Sequence, residues 1–234
     1  MATTTVTADK EASADSGTQT TWTAARDATT ANSFTQYSTA TDKTDALVEL
    51  FLSGRGAGTY VVTRTFLVFD VSGVGGTITA IDLKIYGVTN NTIDVMVAKS
   101  TAFGGDGSSD FESGDFDNWN PDSPTAYMAS SPAWSINTYN TLTLNSTAVS
   151  DANTNGYLNV VVLGNDYDYV DNEPLSDVDR QGGVRFFNGT NPIELDITYT
   201  PPAGWNDNII GVANASIGNF IGVAEASIGS VNGT

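Results

Sequence analysis

The chain has no cysteine and no histidine. Their absence removes disulfides, Cys/His zinc sites, and thiol or imidazole catalysis from consideration. Cations are also scarce. Nine Lys and Arg stand against 27 Asp and Glu in 234 residues, a net charge of −18, and neither Lys nor Arg occurs between Lys99 and Arg180. A nucleic-acid binder needs clustered cations, so nucleic acid is excluded as a partner, and an anionic membrane surface with it. No apolar run approaches the roughly 18 residues a membrane span requires. The segment Met1–Val6 carries neither a basic region nor an apolar core, so cytoplasmic synthesis without a signal peptide is expected. The acidity fits a solvated, self-repelling surface.

What the chain does have is strand pattern. Residues 60–71 (YVVTRTFLVFDV) are dense in β-branched and aromatic residues and apolar on both faces, as in a central strand of a sandwich. Gly73, Gly75 and Gly76 make a turn into residues 77–86 (TITAIDLKIY), which alternate, as do residues 92–98 (TIDVMVA) with Ile93, Val95 and Val97 on one face. Residues 46–52 (ALVELFL) fit a helix or a strand. Further strands are expected at 141–144, 157–163, 184–187 and 193–199, the last with Ile193, Leu195, Ile197 and Tyr199 on one face. Asn145 is placed to cap a short helical turn through Ala152, which stops at Asn155-Gly156. Residues 1–45, rich in Thr, Ser and Ala, read as edge strands and long loops anchored by Trp22 and Phe34. The fold class is therefore all-β, a sandwich over residues 1–200, followed by a linker and repeats over 201–234.

Two acidic loops interrupt the strands. One carries Asp106, Asp110, Glu112, Asp115 and Asp117; the other carries Asp166, Asp168, Asp171 and Glu173. Alternating carboxylates supply the six to eight oxygens calcium takes, and Asp166, Asp168, Asp171 and Glu173 are the candidate ligands of a structural calcium. Neither loop has the spacing of an EF-hand, and solvated loops are the plainer reading. Paired carboxylates also serve glycoside hydrolysis, but that chemistry needs a fixed separation that sequence spacing does not supply. No catalytic residue is assigned, and the chain is read as a non-enzyme. The glycines at 73–76 join two strands with no helix or Lys after them, so they are no phosphate loop.

Trp119, Tyr127, Trp134, Tyr139, Tyr167 and Tyr169 sit in or beside these loops. Trp119, Trp134, Tyr167 and Tyr169 are candidate glycan contacts through ring stacking; the competing reading has the rings packing the loops onto the sandwich. At the C-terminal end, residues 210–220 (IGVANASIGNF) and 221–231 (IGVAEASIGSV) are near copies, differing only at Asn214/Glu225, Asn219/Ser230 and Phe220/Val231. Such a repeat is one small unit used twice, too short to bury a core alone. Its glycines oppose a long helix. The apolar Ile210, Val212, Ile217, Ile221, Val223 and Ile228 are costly to leave in water. They are read as an assembly tail, of short strands interleaved between subunits or docked on a neighbour.

Three motifs carry a resemblance. Residues 64–72 (RTFLVFDVS) precede residues 78–86 (ITAIDLKIY), and residues 183–187 (GVRFF) precede residues 191–199 (NPIELDITY). This order resembles the DNRLRE-type, carbohydrate-binding-like jelly-roll domains, with "R-x-L-x-F-D-x-S", "A-x-L-x-I/L-Y" and "P-x-L-x-V/I-x-Y" strands. The Ile-Glu-Leu after Pro192 departs slightly from the last pattern. The resemblance implies a jelly-roll β-sandwich over about residues 3–200 and no catalytic residue. The tail repeat is similar to short C-terminal repeats of tailed-bacteriophage structural proteins. Together these imply a virion structural protein, a capsid decoration or fibre component made in the host cytoplasm, partnered by other virion proteins and copies of itself. The alternative is a glycan-binding, receptor-binding module of a tail fibre or bacterial surface protein.

Overall fold

A computed structural model describes residues 1–37, 46–53, 59–90, 94–130, 133–174, 181–187, 190–202, 219–220 and 223–224. The strands of the body are β1 (Ala2–Thr7), β2 (Lys10–Asp15), β3 (Ser33–Tyr37), β4 (Ala46–Ser53), β5 (Thr59–Asp70), β6 (Thr77–Asn90), β7 (Val95–Lys99), β8 (Thr138–Thr143), β9 (Tyr157–Gly164), β10 (Gln181–Phe187) and β11 (Glu194–Thr200). Among the described residues two α-helices interrupt them, α1 (Trp22–Arg26) and α2 (Ser146–Asn155). The result is an all-β sandwich. Every strand pairing in the body is antiparallel.

One face runs β8-β6-β11-β1 and the other β3-β2-β5-β9-β7. The two long strands reach beyond their own faces. The end of β6 pairs with β10, β10 pairs with β4, and β4 pairs with the start of β5. The ladder therefore continues from one face to the other. A second crossing lies at Ala8 and Asp9: Ala8 donates to Ile193 beside β11, and the next amide donates to Val68 of β5. The segment 1–37 is thus woven into both faces. Its Trp22 is a buried anchor, as expected, but Phe34 is 42% exposed.

Alternation sorts the side chains into two cores. Leu67 and Phe69 of β5, Ile81, Leu83 and Ile85 of β6, Val160 and Val162 of β9, and Leu195 and Ile197 of β11 meet between the sheets. The opposite side of β5 and β9 (Val62, Phe66, Val68, Val161, Leu163) is equally buried, covered by α1 and the loop after β7 through Ala102, Phe103, Phe111, Phe116 and Trp119. That cover explains why residues 60–71 are apolar on both faces. Residues 46–52 resolve as strand. Ile93 lies outside the described residues, and Val95 to Ala98 are all buried rather than alternating. Tyr199 stays on the Leu195–Ile197 face, opposite Ala2 of β1 and Ile78 of β6, and is half-buried near the end of its strand.

Local chemistry fixes the rest. Asn145 accepts from the amides of Thr147 and Ala148 and starts α2, and Gly156 ends it at φ +73°. Gly87 lets the segment before β8 cross β6, since a Cβ there would lie 2.1 Å from the Ser135 carbonyl oxygen. In the tail, β12 (Asn219–Phe220) and β13 (Val223–Ala224) pair antiparallel, Phe220 opposite Val223.

Candidate functional site

The second acidic loop follows β9 as a single wide helical turn, Asn165–Tyr169. It delivers Asp168 into the covered core. There the Arg64 guanidinium meets it in a two-pronged ion pair, Nε to Oδ2 at 2.9 Å and Nη2 to Oδ1 at 2.8 Å. Arg64 also donates to the carbonyls of Phe116 (3.0 Å) and Arg26 (2.5 Å). Its Cζ lies 4.3 Å from the Phe116 ring centre and 4.7 Å from that of Trp119. Arg64 is wholly buried and Asp168 2% exposed. The satisfied donors and the fork geometry make such a buried charge tolerable. Arg26 extends the cluster, donating to the Asp168 carbonyl, to Asp27 and to the Pro121 carbonyl.

The candidate calcium ligands are thus dispersed. Asp168 pairs with Arg64. Asp171 accepts from the Trp22 indole N–H at 3.1 Å and lies 3.4 Å from Arg26 Nε. Glu173 accepts from the Tyr60 hydroxyl at 2.5 Å, which together with burial raises the Tyr60 pKa. Asp166, at the start of the turn, is half-buried. Among the described residues no three of Asp, Glu, His and Cys gather as a metal-holding group. In the first loop, Asp115 acts as the organiser, accepting from the amides of Phe103 and Glu112 and from the Asn118 side chain. Asp110 binds Gln36 and Lys10. Asp106 is held below its usual pKa chiefly by its bonds from Ser108. Burial raises the pKa of Asp117.

The candidate glycan rings turn inwards. Trp119 is 2% exposed in the covered core. Trp134 packs on the inter-sheet core, Tyr167 on the covered core, and Tyr169 on both. Tyr127 is buried with its hydroxyl donating to Asp151 at 2.5 Å, and Tyr139 donates to the Pro192 carbonyl at 3.1 Å. Of the four candidate rings, Trp119 is buried and the other three are half-buried. Of the assembly-tail residues, Val223 lies in β13, while Ile210, Val212, Ile217, Ile221 and Ile228 fall outside the described residues.

A row of grooves, not anticipated from sequence, runs along the loop after β7. One, of about 510 Å³, is lined by Asp9, Asp70, Ser72, Asp106, Ser108 and Tyr157. The hydroxyl and amide of Ser72 hold Asp70 below its usual pKa. Tyr157 and Asn155 also line a second groove of about 250 Å³ with Lys99, Asp151 and Asn159. Burial pushes the Asp151 pKa upwards, but the bonds from Lys99 and Tyr127 bring it below the usual value. A third groove, about 220 Å³, is formed by Asn118, Trp119, Asn120 and Thr125, and shares Lys99, Ser100 and Thr101 with the second.

No protein-family model matches the chain, and no curated protein matches it.

Proposed function

We propose that this chain is a structural subunit of a bacteriophage virion, a capsid decoration or fibre component. Its sandwich is the body, and residues 201–234 are its element of attachment or oligomerisation. The observation that carries the reading is the pairing of the two repeat copies with each other: Asn219-Phe220 closes the first copy and Val223-Ala224 belongs to the second. A ribbon of two short strands is marginal by itself in water. It gains stability by adding its backbone edge to another surface, the strand-addition mode of recognition. The tail's similarity to phage repeats, the jelly-roll lineage suggested by the strand motifs and the acidic surface belong to the same reading. The inward turn of the loop aromatics favours it over recognition by a stacking platform. The reading assigns no catalytic residue and needs no calcium.

The test is the solution mass of the full chain and of a chain ending at Pro202, measured by light scattering on a sizing column. The full chain is expected to be an oligomer and the truncated one a monomer. A monomer in both cases removes self-assembly through the tail.

A further inference from the structure

Taking the tail as the element of oligomerisation proposed above, we infer that the outer edge of β1 is the surface to which the tail ribbon of a second copy adds. β1 ends its sheet: it pairs with β11 on one side and, among the described residues, with no strand on the other. The ladder fixes which backbone groups are left over. The Ala8 amide donates to the Ile193 carbonyl beside β11, and in an antiparallel pair alternate residues turn their N–H and C=O to the same side. Thr4 and Val6 therefore bond to β11, and Thr3, Thr5 and Thr7 point theirs away from it. Such a row of unpaired groups is a template for another strand.

Edge strands are usually blunted by a charge, a proline, a bulge or a covering segment. The β1 sequence ATTTVT has no charge and no proline, and its register runs unbroken from Ala2–Tyr199 to Thr7–Glu194. β7 shows the usual protection: the Lys99 amide donates to the Thr125 carbonyl at 2.9 Å and the Tyr127 amide to the Val97 carbonyl at 2.8 Å, so residues 125–127 line its edge. At β3 the Gln36 side chain is tied to the loop at Asp110 and Phe111. β8, at the far end of the same sheet as β1, lies two strands from β11, whereas β1 adjoins it.

The occupant follows from where the tail leaves and from charge. Tyr199 lies opposite Ala2, so the tail departs beside the open edge. Residues 203–218, between Pro202 and β12, can span up to about 50 Å, enough to cross to a neighbouring copy. Two bodies of a chain with net charge −18 repel over most of their surfaces. Between Asp207 and Glu225 the tail carries no charge, and neither does β1, so ribbon and edge meet without that repulsion. Reciprocal exchange of tails between two copies gives every open edge and every ribbon a partner.

The experiment is amide hydrogen exchange of the full chain, followed by NMR at a concentration where light scattering gives its mass. An oligomer is expected in which the Thr3, Thr5 and Thr7 amides exchange as slowly as those of Thr4 and Val6. In a mixed sample, isotope-filtered contacts from the labelled β1 amides should reach Phe220 or Val223 of an unlabelled copy. Thr5→Pro removes an outward N–H while sparing the β11 ladder, and should return the full chain to a monomer with Thr3 and Thr7 exchanging at least about tenfold faster. Thr5→Lys puts a charge on the edge and serves if proline loosens β1. An oligomer whose outward threonine amides exchange fast, whose β1 contacts a second β1, or whose mass survives both variants overturns the inference and leaves the tail as the oligomerisation element. A monomer with those amides slowed overturns it as well, because the chain's own tail then covers the edge. A monomer with fast amides removes both readings.

Discussion

The two cores of this protein share β5 and β9 but are built on different principles. Between the sheets the packing is aliphatic and follows strand alternation, with Leu83, Ile85, Val160 and Leu195 fully buried. On the other side of the same strands the packing is aromatic, and it surrounds a charged pair, Arg64 and Asp168, with Phe116 and Trp119 against the guanidinium. The first core can tolerate exchange among apolar residues of similar volume. The second depends on one donor set meeting one acceptor set. A sheet face covered by loops has no alternation on the covering side to fix its register, and the ion pair, with its bonds to the Phe116 and Arg26 carbonyls, supplies that register.

The largest effect should come from Asp168→Ala, which leaves a guanidinium buried without its counter-charge and should cost about 3–5 kcal/mol in urea unfolding. Replacing both partners, Arg64→Met with Asp168→Leu, should recover most of that loss. A double variant as unstable as the single one would break the comparison, since the pair would then be supplying stability rather than register. Next comes Leu83→Ala in the aliphatic core, expected to cost about 2–4 kcal/mol by transfer and cavity terms, with hydrogen exchange accelerated on both sheets. In Asp168→Ala, by contrast, acceleration should be greatest in α1 and residues 100–123. The smallest effect is expected at Asp117, whose pKa is raised by burial. A carboxyl with a raised folded pKa favours the folded state when protonated, and that contribution is lost as pH rises through its folded pKa. Asp117→Asn should therefore raise the melting temperature slightly at neutral pH, with the gain shrinking as pH falls through the raised folded pKa and gone below the ordinary carboxylate value of about 4. A gain that persists at low pH would point to packing instead.

Strands and caps were legible because their signals are local. The alternation of residues 77–86, the Asn145 cap and the Gly156 stop each follow from neighbours within a few residues. The covered core was not, because its partners are far apart: Arg64 and Asp168 are separated by 104 positions. An arginine in the middle of an apolar strand was the available signal, since a buried strand tolerates a cation only if something distant neutralises it. Composition does not distinguish a carboxylate that awaits a metal from one that accepts from a guanidinium, an indole or backbone amides, as Asp168, Asp171 and Asp115 do. Helix α1 escaped because five residues offer too little periodicity. The grooves escaped because their walls come from separate segments, the loops after β7 and the far end of α2 among them.

The pairing of β1 with β11 places Ala2 opposite Tyr199, so the start of the chain and the exit towards the tail emerge side by side from one edge. In mechanical terms this decides how the body meets a load. Tension drawn between those two points would separate the two strands bond by bond, like a zipper, at low force. Tension between the tail and a point on the far face would have to shear several ladders at once. If the tail is the anchor, the body is firm against drag on its surface and weak only against a pull on its own first strand.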